Sequence, residues 1–201
     1  MKLYFKPGAC SLSPHIVLEE LGLPHEALPV DLKTKKLTDG ADYLAINPKG
    51  YVPALQLDSG EVLTEGPAIV QYLADQKPEK KLAPANGTIE RYRLQSWLTF
   101  VGTELHKSFS PLFNPAMPEE AKAFARANLE RRLGWVNEQL AGKDYLMGAD
   151  FTVADAYMFT VASWARAVKL DISAFTNLTA YMARVAARPG VQAALKAEGL
   201  A

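Results

Sequence analysis

The chain has 201 residues, 49% of them apolar and 22% charged, the composition of a folded globular protein with length for one large domain or two modest ones. Its 22 Lys and Arg balance its 22 Asp and Glu, so no basic field exists to hold nucleic acid or an anionic membrane by bulk electrostatics. The single cysteine excludes an intramolecular disulfide and makes a poor structural zinc site, and no run reaches the roughly 20 apolar residues of a membrane span. The apolar stretch after Lys2 is too short for a signal-peptide core, and a reducing cytoplasm is the expected compartment.

The first third alternates strand-like and helix-like segments. Leu3 to Phe5 reads as a strand closed by Pro7-Gly8, and Ser11-Leu12-Ser13-Pro14 as a helix start, a hydroxyl cap followed by proline in the first turn. Ile16, Val17, Leu21 and Leu23 continue at helical spacing, with Gly22 placed to end the helix. Ala27 to Leu32 supplies a second strand, so the opening unit is βαβ and its strands should be parallel. A polar region from Lys33 to Asn47 precedes two short strands, Ala54 to Leu57 and Glu61 to Leu63, joined by the hairpin signal Asp58-Ser59-Gly60. Thr64-Glu65-Gly66-Pro67 opens the next helix, with Ile69, Val70, Tyr72 and Leu73 on its buried side. The order βαβ then ββα is that expected of a thioredoxin-like domain, here residues 1–77.

Residues 78–86 carry prolines and the charge run Glu79-Lys80-Lys81 and read as a linker, although an ordinary surface loop has the same composition. Residues 87–201 show only helical patterns, roughly Ile89 to Ser110, Glu119 to Leu140, Thr152 to Val168, Ala174 to Ala187 and Val191 to Leu195. The stretch Phe151 to Val161 is apolar nearly all round and predicts a central buried helix. Thr152-Val153-Ala154-Asp155 has capping-box spacing, which makes Asp155 a folding residue in preference to a catalytic one.

Cys10 stands between the first strand and the first helix, where unsatisfied amides and the helix dipole favour a thiolate over a thiol. The competing role is that of one small buried apolar side chain. Three positions on, where thioredoxin-like oxidoreductases often carry a second cysteine, stands Ser13, so the chain cannot cycle an internal disulfide and needs an external thiol. Val52-Pro53 lies between a loop and a strand, where a cis bond would expose backbone groups to an extended thiol peptide; a trans proline at a strand start fits equally. At Glu65-Gly66 a helix-start amide can take a carboxylate and the acid can pair with an ammonium, or Thr64 can simply cap the helix. On the long helix after the linker, Leu94, Leu98, Val101 and Leu105 form a core stripe, with Thr99, Thr103, His106 and Ser110 on an adjacent polar face. That face can present His106 and Lys107 to a thiolate, although a lone helical histidine is more often structural; His15 and His25 keep that structural role.

Five segments in order, LYFKPGACSLSPH from Leu3, NPKGYVPAL from Asn47, LTEGPAIVQYLAD from Leu63, ELHKSFSPLF from Glu104 and FTVADAY from Phe151, closely resemble beta-class bacterial glutathione transferases, above all those encoded with biphenyl and other aromatic degradation pathways. The resemblance runs nearly end to end. It implies a homodimer, with glutathione on the first domain and an electrophile site between the domains. It implies Cys10, His106 and Lys107 around the glutathione sulfur, and glutathione contacts by Cys10, Lys35, Val52, Pro53, Glu65, Gly66, Thr103, Glu104 and His106. Phe109, Leu112, Phe113 and Trp164 are expected around the electrophile. Many relatives have Ser where this chain has Gly66, and Asn where it has Thr99.

The function so implied is conjugation of glutathione thiolate to small aromatic or halogenated electrophiles, without a metal. Thiol transfer, peroxidase or reductive dehalogenation chemistry through Cys10 is a variant on the same scaffold. A non-catalytic interaction module on this fold is the alternative, against which Cys10, Val52-Pro53, Glu65 and His106 all argue. A zeta-type isomerase fits less well, because Cys10-Ser11 lacks that family's serine-rich, arginine-containing motif.

Overall fold

The computed structural model describes residues 1–201. It divides into two compact units, Met1–Ala83 together with Ala187–Ala201, and Pro84–Ala186. The break falls inside the predicted linker.

In the first unit, β1 (Lys2–Phe5), α1 (Leu12–Leu21) and β2 (Glu26–Asp31) form the expected βαβ, with β1 and β2 parallel and Leu3 opposite Ala27. A short strand β3 (Lys36–Leu37) pairs antiparallel with β2, while β4 (Ala54–Gln56) and β5 (Val62–Thr64) form an antiparallel hairpin against β1. The sheet order is β3-β2-β1-β4-β5. Central β1 is covered on both faces, so Leu3, Tyr4 and Phe5 are all buried. Tyr4 and Ala54 pack with Val30, Tyr43 and Val52 on one face. Alternation turns Leu3, Phe5 and Leu55 to the other. Helix α2 (Gly66–Gln76) follows β5 and packs on α1 and β4 through Ile69, Val70 and Leu73.

Strand β3 lies within the polar region that the sequence marks with no strand signal. Its only apolar residue is Leu37, so no alternation announces it. The turn into it is made by Asp31, whose Oδ1 accepts from the amides of Lys33 (2.8 Å) and Thr34 (3.3 Å). Those bonds hold its carboxyl below the usual range. The start of α1 also differs from expectation. Ser11 makes no capping bond; its hydroxyl accepts from Lys6 N (3.1 Å) and donates to Lys6 O (3.2 Å), which closes the β1–α1 turn instead.

The second unit is helical throughout: α3 (Ile89–Phe100), a π-helical segment Val101–His106, α4 (Lys107–Phe113), α5 (Glu119–Gln139), α6 (Val153–Ala167) and α7 (Thr176–Ala186). Leu94, Leu98, Val101 and Leu105 are all buried, as the stripe predicts. Almost every residue of α6 is buried, and both halves of the Thr152–Asp155 capping box are present.

The last helix, α8 (Pro189–Ala197), corrects the predicted grouping of residues 87–201 into one all-helical domain, because it packs on α1 in the first unit. Arg188 grips Glu20 with Nε (3.0 Å) and Nη2 (2.6 Å), and the Glu198 carboxylate takes the Gly8 amide (2.9 Å) and faces His15 Nδ1 (2.9 Å). The two helices approach so closely at Gly190 that a Cβ there would lie 2.7 Å from Glu20 Cγ and 2.8 Å from Glu20 N. The second of these is backbone and cannot swing aside. Gly190→Ala should therefore lower the denaturant midpoint, by about 1–3 kcal/mol of overpacking strain. Unchanged stability would show that α8 shifts to make room.

Candidate functional site

In the first unit the structure brings Cys10, Ser13, Val52-Pro53 and Gly66 together. The Val52–Pro53 peptide is cis. Cys10 is half-buried at the head of α1 and its Sγ donates to Val52 O at 3.3 Å. Ser13 Oγ donates to Cys10 O (2.8 Å), tying the first turn of α1 to the cysteine's own backbone. A Cβ added at Gly66 would sit 3.9 Å from Ser13 Oγ and 3.8 Å from Pro53 Cγ, in ordinary contact, so a serine there would fit.

The loop before Pro53 is held carbonyl by carbonyl. Lys35 Nζ donates to Gly50 O (2.8 Å), Tyr43 Oη (2.6 Å) and Asn47 Nδ2 (2.8 Å) both donate to Tyr51 O, and the cysteine takes Val52 O. Burial raises the Tyr43 phenol above its ordinary value, so it remains a donor at any physiological pH. Tyr43 and Asn47 carry no signal in the sequence because they sit in the polar region without periodicity. Lys35 adopts φ +58°, which turns its backbone toward Tyr43 N (2.9 Å).

Glu65 caps α2 with its backbone at φ +70°. A non-glycine residue there costs on the order of 1–3 kcal/mol and persists where its surroundings over-determine it. Thr64 does not cap the helix; Lys49 Nζ bridges its hydroxyl (3.1 Å) and Glu65 Oε1 (2.8 Å). The Glu65 side chain is exposed, aimed beside the α2 N-terminus where α-helical amides favour an anion. Lys49 is a further residue of this region that sequence reasoning misses.

In the second unit, Thr103, Glu104 and His106 all lie on the π-helical segment, with exposed Lys107 next to it. The extra residue per turn rotates the start of α4, a common device where side chains must be re-aimed. Glu104 pairs with Arg132 from α5, whose Nε lies 2.6 Å from Oε2, and Thr103 Oγ1 donates back to Thr99 O (3.0 Å). His106 Nδ1 lies 2.7 Å from Tyr157 Oη, and its ring meets Trp164 edge-on at 4.8 Å. Trp164 in turn takes the rings of Phe109 and Phe113, each at 5.7 Å. Three of the four residues expected around the electrophile thus form one aromatic cluster with His106. Leu112 is half-buried on the same helix, and Phe113 is half exposed. Tyr157, which orients His106, carries no mark in the sequence beyond its place on a buried helix. A separate cleft of about 460 Å³, lined by Trp97, Phe100 and Trp135, contains none of the predicted residues.

Together these features define a thioredoxin-like thiol unit followed by an all-helical one bearing a histidine and an aromatic cluster. The family model for the glutathione S-transferase N-terminal domain matches residues 8–76, and that for the C-terminal domain matches residues 100–189. The chain belongs to the glutathione S-transferase family. It is 53% identical over 200 residues to glutathione S-transferase GstA of Escherichia coli O157:H7, with both chains covered in full. Among solved structures it is similar to BphK, a bacterial GST in a ternary complex, with a TM-score of 0.98 and 58% identity over all of both chains. It is also similar to the bacterial beta class glutathione S-transferase of Sphingomonas chungbukensis, with a TM-score of 0.97 and 53% identity over all of both chains. Other solved neighbours carry bound glutathione. No helix is long and apolar enough to cross a membrane.

Proposed function

We propose that the chain is a glutathione transferase whose first unit holds the tripeptide and whose aromatic cluster in the second unit receives a small electrophile. The observation that supports this most directly is the Cys10 thiol on the Val52 carbonyl beside cis-Pro53. It puts a sulfur against the backbone edge that an extended thiol peptide would use. The γ-glutamyl end of glutathione carries both an ammonium and a carboxylate, matching Glu65 and the first amides of α2. Lys35 and Lys49 add cationic charge near the same loop. Holding thiolate and electrophile together lowers the barrier by orientation, and His106 and Lys107 supply positive or donating groups for the developing charge.

The protein as a homodimer in the cytoplasm belongs to the same reading. Tyr51, 70% exposed, is the kind of aromatic side chain that a subunit interface covers. The non-catalytic alternative loses ground because Cys10, the cis-proline, Glu65 and His106 are all kept in one family member. Purified protein should conjugate glutathione to an aryl halide; failure to bind glutathione would leave only the interaction module.

Glu65→Ala tests the binding half separately. With the carboxylate already fixed by Lys49, losing a charge-assisted bond to the ligand ammonium should weaken glutathione binding by about 1.5–3 kcal/mol. Calorimetry on a folded variant with unchanged affinity would remove Glu65 from the site.

A further inference from the structure

Three metal-ligand side chains meet in the first unit, at residues the proposed transferase chemistry does not use. His15 and Glu19 lie one helical turn apart on the same face of α1. His25 arrives from the segment after Gly22, whose left-handed backbone (φ +59°) ends α1 and sends the chain back toward β2. One potential ligand atom from each of the three lies within 4.8 Å of the other two. His25 Nε2 is 3.6 Å from Glu19 Oε1, and the two imidazoles meet edge to face at 5.5 Å.

Hydrogen bonds decide which nitrogens remain for a ligand. His25 Nδ1 is 2.9 Å from Leu23 O, and His15 Nδ1 is 2.9 Å from Glu198 Oε1. A carbonyl and a carboxylate both accept, so each Nδ1 carries a proton, and the Nε2 of each ring is the nitrogen left for a metal. An acceptor behind the far nitrogen is how proteins fix the tautomer of a metal-binding histidine and raise its basicity. A surface ion pair would account for Glu19 and a protonated His25. It would leave His15, the third member of the group, without a role in the cluster.

We propose that His15, Glu19 and His25 bind a divalent transition metal of the zinc type through two imidazole nitrogens and one carboxylate oxygen. Two nitrogens and an oxygen suit Zn²⁺ or Co²⁺, and three protein ligands leave a fourth position to water. Metal–ligand bonds of roughly 2.0–2.2 Å require the donors to close up from their present spacing. Glu19 and His25 can make that movement, their side chains being 30% and 11% exposed, while His15 stays anchored in the core on Glu198. The metal would clamp α1 to the segment leading into β2. Because the unfolded chain offers no such arrangement, binding would stabilise the fold.

The test is titration of chelator-treated full-length protein with Zn²⁺ by calorimetry and with Co²⁺ by visible absorption. One equivalent per chain, a d–d band of low-coordinate Co²⁺ and a raised Tm are expected. His25→Ala and Glu19→Gln, at partly exposed positions, should each weaken Zn²⁺ binding about tenfold or more while the metal-free circular dichroism stays that of the parent. His15→Ala is the poorer variant, since it removes the partner of buried Glu198 Oε1. Cys10→Ala controls for the sole thiol and should still take up the metal. Absence of stoichiometric uptake, wild-type affinity in either His25→Ala or Glu19→Gln, or loss of uptake in Cys10→Ala would each overturn the site.

Discussion

Asp155→Ala should lower the unfolding free energy by about 3–5 kcal/mol, the range for removing one partner of a fully buried charged network. The carboxylate is wholly buried at the start of α6 and serves four donors. Oδ2 accepts from the Thr152 amide (2.8 Å) and hydroxyl (2.9 Å), and Oδ1 from the Leu146 amide (2.9 Å) and the Tyr181 hydroxyl (3.1 Å). It therefore joins the loop before α6, the helix itself and α7 at one point. Alanine would leave those donors in a dry interior without an acceptor. Burial pushes the Asp155 carboxyl up to about 6 in spite of its hydrogen bonds, and pushes the Tyr181 phenol well above its usual value, which keeps it a donor.

The upward shift fixes the sign of a pH effect. Between about pH 4 and 6 the folded chain retains a proton on Asp155 that the unfolded chain has lost, so this group's contribution to stability falls as pH rises through that window. Two pH units correspond to about 3 kcal/mol. Denaturant unfolding from pH 4 to 7 should show that slope in the wild type relative to Asp155→Asn, which cannot titrate. A difference between the two that is flat across the window would mean that Asp155 is ionised throughout in the fold. Loss of less than 1 kcal/mol in Asp155→Ala, on the order of a single exposed cap, would mean that the network is not what fixes α6.

How much of this is legible in the sequence depends on whether a feature is local. The βαβ-ββα order, the buried stripe Leu94–Leu105 and the Thr152–Asp155 box follow from periodicity and capping chemistry within one segment, and each appears in the structure. Strand β3 does not announce itself, because two residues cannot show alternation. The π-helical segment reads as continuous helix, since its residues have ordinary helical periodicity and only the ladder of hydrogen bonds distinguishes it. The attachment of α8 to α1 rests on Arg188–Glu20, Glu198 and the bare Cα of Gly190, contacts separated by some 170–190 positions that no window along the chain can see. The predicted site residues fall into the same pattern. Cys10, Pro53 and Gly66 are marked by residue type at an element boundary, whereas Tyr43, Asn47 and Lys49, which hold the loop and Glu65, look like any polar surface residues.

Cys10→Ala should abolish a mixed disulfide with glutathione while leaving aryl conjugation in place. In the thiol-transfer reading, the Cys10 thiolate attacks one sulfur of oxidised glutathione. A new S–S bond forms to Cys10, the old one breaks, and the second glutathione leaves as its thiolate, so no further oxidant is required. Ser13 stands where a resolving thiol would be, and the chain has no other cysteine, so the adduct persists until an external thiol removes it. Wild-type protein incubated with oxidised glutathione should therefore gain one glutathionyl group by mass spectrometry, and the variant none. In conjugation the nucleophile is the sulfur of glutathione itself. The groups proposed to steady it are His106, held by Tyr157 and Trp164, and Lys107, neither of which the substitution removes. The variant also frees the Val52 carbonyl from the Cys10 thiol, which leaves that acceptor to the bound peptide. An unmodified wild-type thiol would end the thiol-transfer role. Loss of aryl conjugation in Cys10→Ala, with glutathione still bound at wild-type affinity, would instead place Cys10 in the conjugation step, as the group that holds or deprotonates the attacking sulfur.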